Sequence, residues 1–161
     1  MVLKIVYTIF IGILLVLFVG IGIETFYPQP QYPEYPIALD KPIYNDTETA
    51  EQIQTRVEFQ EKEKEYQQET KVYNRNVFII ALLFALVFLA VSLFLSDRLL
   101  VIADGLLLGG VFTLAYAVGR GFMADDKFRF VAVSVSLVIA LVTGYLKFVR
   151  PLEKDGTPAA G

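Results

Sequence analysis

Residues 99–121 read LLVIADGLLLGGVFTLAYAVGRG. From Leu99 to Val118 the single charge is Asp104. A helix needs about 20 predominantly apolar residues to cross a bilayer, so this stretch reads as a membrane span. Three further blocks share the pattern: Ile5–Ile23, Val77–Leu95 and Phe130–Leu146. The 161-residue chain is 55% hydrophobic and 19% charged, below the quarter or so of charged residues usual in a soluble domain. These features exclude a soluble globular enzyme. They predict an all-α integral membrane protein, a four-helix transmembrane bundle divided as 1–26 (span 1), 27–45, 46–95, 99–121 (span 3), 128–149 (span 4) and a flexible tail, 150–161.

Within span 3, Gly105, Gly109, Thr113, Ala117 and Gly121 recur at intervals of four. Ala132, Ser136, Ala140 and Gly144 do the same in span 4. Helices in lipid associate where small residues let backbones approach closely. If spans 3 and 4 form an antiparallel hairpin, 105 faces 144, 109 faces 140, 113 faces 136 and 117 faces 132. The two ladders are then in register, and the expectation is a clasp between them. Self-association of the chain is the rival use of the same residues. Span 1 is expected to close the bundle beside span 4 or span 2, with Gly12, Gly20 and Gly22 allowing its approach. The link Ser96-Asp97-Arg98 is too short for anything but antiparallel neighbours.

Residues 27–76 hold ten Asp/Glu against six Lys/Arg. Their first part, YPQPQYPEYPIALDKPIY, places Pro30, Pro33 and Pro36 three apart. Polyproline II has three residues per turn, so these prolines share a face. Asn45 with Glu48 fits a capping box. The run after it, free of Pro and Gly and rich in Glu, Lys and Gln, favours one helix over 46–95, its first part a stalk beyond the membrane. Phe59, Tyr66 and Tyr73 recur every seven residues along it, and the Pro/Tyr segment is expected to pack against them. In geometry this resembles the polyproline-plus-helix hairpin of the pancreatic-polypeptide hormones; the likeness covers about forty residues and implies no hormone function. A Pro-rich tether beside a solvated helix is the alternative.

Asp104 lies about five residues inside its span. A carboxylate there is costly and faces a partner or a cavity. Tyr7, Thr8, Ser92, Thr143, Tyr145 and Lys147 lie at similar depth and are its expected neighbours. The cluster reads either as a structural polar knot or as a proton or cation site. At the other end, Glu24 is expected to pair with Arg75, Arg120 or Arg129. Tyr7, Phe26, Tyr27, Tyr73, Phe78, Tyr145 and Phe148 suit the aromatic belts of a membrane protein.

The chain contains no Cys and no His. Thiolate chemistry, ordinary zinc sites and the usual neutral-pH base are therefore lacking, and no catalytic, metal or cofactor site is expected. No phosphate-loop or nucleophile-elbow motif occurs. The net charge of −3 gives no basis for nucleic-acid binding. The N-terminal run MVLKIVYTIFIGILLVLFVGIG has a signal peptide's outline, but no A-x-A site follows, so an uncleaved anchor is expected. Near the span ends, Lys4, Arg98, Lys147, Arg150 and Lys154 outnumber Arg120, Lys127 and Arg129, which predicts cytoplasmic termini in a plasma membrane. The expected function is that of a non-enzymatic scaffold or accessory subunit, its partners the lipid bilayer and a membrane or extracytoplasmic protein. A small oligomeric transporter or channel using Asp104 is the alternative.

Overall fold

The computed structural model describes residues 2–40, 49–95 and 99–149. The expected Asn45–Glu48 cap, the Ser96-Asp97-Arg98 link and the tail from 150 lie outside them. Four long helices carry the fold: α1 (Val2–Phe26), α2 (Ala50–Leu95), α3 (Leu100–Gly121) and α4 (Asp126–Gly144). A 3-10 turn at Ile37–Asp40 precedes α2, and a π turn at Tyr145–Val149 extends α4. The described residues contain no strand. Each helix is long and apolar enough to cross a membrane.

The 46 residues of α2 span about 69 Å, more than twice the roughly 30 Å of a hydrocarbon core. Its start is fixed by a reciprocal box. The Thr49 backbone N–H donates to Gln52 Oε1 (3.0 Å), and the Gln52 N–H donates to Thr49 Oγ1 (3.3 Å). The described helix therefore begins four residues after the expected 46. No proline interrupts the run to Leu95, so the i→i−4 ladder continues across the change from charged to apolar sequence.

Small residues decide the packing, and they correct the expected pairing of spans 3 and 4 at 105 with 144 and at 109 with 140. A Cβ on Gly105 would lie 2.8 Å from Ile11 Cγ2, and one on Gly109 only 2.5 Å from Leu15 Cδ1. Leu108 in turn fills the space over Gly12 on α1. At Gly105 and Gly109 the α3 ladder thus receives bulky side chains of α1, a parallel neighbour, whereas at its far end Gly121 meets Ala132 of α4 and Ala117 shares a core with it. The next residue, Gly110, is filled by Leu89 of α2, with the Ala85 carbonyl 3.3 Å from its Cβ position. Successive residues on a helix point about 100° apart, so adjacent glycines seat two different helices. α3 is accordingly the middle helix, with α1 and α2 on either side.

The α2–α3 seam uses Phe78, Ala81, Ala85, Leu89 and Ser92, all buried and spaced three or four apart. The Ser92 hydroxyl donates to the Ala103 carbonyl at 2.7 Å, a hydrogen bond buried between the two helices. α4 enters the core mainly through its first turns. There Gly121 meets Ala132 and Phe78, Phe128 sets its edge on Phe78 (5.3 Å between ring centres), and Ala117 and Ala132 share one core with Val19, Ile23 and Val77. Further along α4 Ala140 is exposed, and nothing lies within 4 Å of a Cβ on Gly144. The expected contacts of 105 with 144 and of 109 with 140 are absent: Ile11 and Leu15 of α1 occupy the space over Gly105 and Gly109. Phe78, expected in an aromatic belt, is core instead.

Candidate functional site

Two regions concentrate polar and aromatic side chains. The first lies where α2 leaves the four-helix core. Tyr27, directly after α1, stacks on Tyr73 (ring centres 5.1 Å apart, 12° between planes), and its hydroxyl accepts from the Asn76 amide at 2.9 Å. Tyr32 sets its edge against Tyr66 (5.2 Å) and Phe59 (6.5 Å), and Tyr35 approaches Phe59 at 5.4 Å. Pro30, Pro33 and Pro36 are half-buried between these tyrosines. The three α2 aromatics Phe59, Tyr66 and Tyr73 thus each meet a tyrosine of the segment after α1. Edge-to-face and offset pairs contribute about 0.5–1.5 kcal/mol each beyond their burial. The Tyr32 hydroxyl also donates to Glu63. That bond, ahead of desolvation and the Glu63 charge, holds the phenol protonated above its ordinary pKa.

Beneath this row lies a knot that the spacing of the sequence does not signal. Arg120 donates through Nε to the Tyr116 hydroxyl (3.2 Å) and through Nη1 to Asn74 Oδ1 (3.3 Å). Its guanidinium lies over the rings of Tyr73 (5.8 Å) and Tyr116 (5.6 Å). Asn74 is 2% exposed, and its amide donates back to the Thr70 carbonyl at 2.9 Å. Arg120 therefore joins α2 to α3 through neutral partners. Among the described residues, the expected ion pair from Glu24 to Arg75, Arg120 or Arg129 is not formed. Lys71 reaches Asp125 in the α3–α4 turn (3.8 Å), and Arg129 reaches Asp126 (3.3 Å), both exposed pairs of small energetic weight. Arg120 sits in the last turn of an apolar helix, where sequence reads it as a boundary charge. Only the fold brings Asn74 and Tyr73 to it.

The second region is the opposite end of the bundle. Lys147 lies 3.5 Å from Asp104 Oδ1. The lysine side chain is largely covered and the aspartate half-exposed. The π turn that extends α4 carries Lys147, which reaches Asp104 on α3. Of the other expected neighbours, Ser92 bonds the Ala103 carbonyl rather than the carboxylate, Tyr7 and Tyr145 are exposed, and Thr8 and Thr143 are half-buried. On α3, Gly105, Gly109, Thr113 and Ala117 are all buried, and the Thr113 hydroxyl donates to the Gly109 carbonyl at 2.7 Å. Ala132 and Ser136 are buried on α4, and the Ser136 hydroxyl has no hydrogen-bond partner among the described residues.

Four helices of this length and apolarity define a multi-pass membrane protein. No family model, curated protein or solved structure matches the chain.

Proposed function

We propose that this protein is a non-enzymatic scaffold or accessory subunit of a membrane complex. It spans the plasma membrane four times with both termini cytoplasmic. The first half of α2 stands out of the bilayer as a stalk, with the Pro/Tyr segment laid along it in polyproline form. The observation that carries this reading is the row of aromatic contacts that pins residues 27–35 to α2 over Phe59–Tyr73. Such a clasp stiffens a helix that would otherwise stand alone in water. Beyond it, Ile53 and Val57 are one turn apart and each 50% exposed, and Ile37 is 82% exposed. Apolar groups grouped at the tip of a charged, otherwise solvated helix favour docking of another protein. The Asp104–Lys147 contact supports a structural role for Asp104 and weighs against transport through it.

The test is affinity purification of the full chain from its native membrane, beside the double variant Ile53→Lys, Val57→Lys. The expected result is a co-purifying protein that the variant loses while its four-helix core stays folded. Recovery of the same proteins with both chains, or liposome ion flux abolished by Asp104→Asn, contradicts the proposal.

A further inference from the structure

Since α1 and α2 both pack on α3, they barely touch each other. A cleft opens between them along the last third of α1. Val19 and Ile23 form its buried floor, and Phe18, Gly22, Ile80 and Phe84 line its sides. Its volume is about 260 Å³, below the roughly 300–1,000 Å³ of drug-sized ligand sites and suited to part of one flexible chain. Phe18 to Phe26 covers about 13 Å of helix, close to half the ~30 Å hydrocarbon thickness. The cleft therefore belongs to one leaflet. A second, open cavity of about 390 Å³ adjoins it, and Tyr27 is a wall of both. That cavity is lined by the stacked Tyr27 and Tyr73, by Pro30, and by Gln68 and Glu69 of α2. The Glu69 carboxylate is exposed and has no cationic partner among the described residues.

The two cavities together form an apolar slot continuing into an aromatic and anionic one, oriented along the membrane normal. We infer that this is a binding site for a zwitterionic phospholipid. One acyl chain lies between α1 and α2, and the headgroup ammonium sits against Glu69 and the Tyr27–Tyr73 stack. Charge complementarity selects the head. A carboxylate beside aromatic faces attracts an ammonium and repels a headgroup that carries only the phosphate charge. The slot exists because Gly22 faces it: nothing lies within 4 Å of a Cβ there, so a larger side chain occupies the cleft without displacing the helices.

The experiment is native mass spectrometry of the full chain released from vesicles of equimolar phosphatidylethanolamine, phosphatidylcholine and phosphatidylglycerol with identical chains. The expected result is one retained lipid, with the two ammonium heads favoured over phosphatidylglycerol by about tenfold. Gly22→Leu removes the retained lipid at unchanged melting temperature. Glu69→Gln, an exposed change that leaves the packing untouched, keeps a lipid but removes the headgroup preference. Equal retention of phosphatidylglycerol, retention undiminished by Gly22→Leu in a folded chain, or a co-purifying protein helix cross-linked in the cleft in place of lipid overturns the inference.

Discussion

Gly109 is the residue on which α1 and α3 meet most closely. Leu15 approaches its missing Cβ at 2.5 Å through Cδ1 and at 2.9 Å through Cβ, so moving the tip of the leucine does not make room. Gly109→Ala is expected to cost about 1–3 kcal/mol through overpacking. Gly144→Ala, whose side chain enters open space, stays within about 0.5 kcal/mol. Denaturation of the purified protein compares the two, and equal losses contradict the packing described. Tyr32 offers a test in pH. Its phenol pKa is raised above 10.0, first by the hydrogen bond it donates to Glu63. A raised phenol pKa means that the folded state holds the proton more tightly. The contact is intact below the ordinary phenol pKa and is lost as pH rises through the raised one. Tyrosine-ring NMR should therefore show Tyr32 titrating above its ordinary value, and Glu63→Gln should bring it down. A midpoint unmoved by Glu63→Gln contradicts the bond. At this scale the sequence was partly legible. Buried small residues announced themselves by spacing, whereas Asn74 and Arg120, 46 positions apart, carried no local pattern that joins them.

Among the helices, α4 is the one held at two points with little between. Its first turns enter the core through Ala132 and Phe128, and its far end reaches α3 through Lys147 to Asp104. Such an element opens locally before the rest. Amide exchange is expected to be faster from Leu137 to Val149 than from Asp126 to Ser136, and faster still in Lys147→Ala. A double-mutant cycle with Asp104→Asn should give a coupling of about 0.2–1 kcal/mol, the scale of a partly solvated pair. Uniform protection along α4, unchanged by Lys147→Ala, contradicts this picture. Helix existence and extent were readable from apolar block lengths and from the Pro-free run of α2. The antiparallel clasp of spans 3 and 4 was not, for a physical reason. Matching ladders fix only phase, and a glycine notch can seat either a small residue or a large one. Here Ile11 and Leu15 fill the notches. The adjacent pair Gly109-Gly110 was the available signal that α3 has a neighbour on two sides.

In the whole molecule α3 is the middle helix, parallel to α1 on one side and antiparallel to α2 on the other. That arrangement places the Arg120 knot where α2 leaves the bundle and opens the cleft between α1 and α2. The aromatic clasp along α2 was legible from the seven-residue repeat of Phe59, Tyr66 and Tyr73. The choice of neighbour for α1 was not, because a uniformly apolar span offers no face to read. The chain's lack of cysteine makes the central test direct, since any disulfide must come from introduced residues. The Gly12 Cβ position lies 3.2 Å from Leu108 Cβ, near the roughly 3.5–4.5 Å that a disulfide spans. Oxidation of the Gly12→Cys, Leu108→Cys variant in membranes should give an intramolecular disulfide in high yield, and Gly109→Cys, Ala140→Cys should give none. Efficient bridging of 109 to 140, with none between 12 and 108, would place α4 where α1 is described and contradict the architecture.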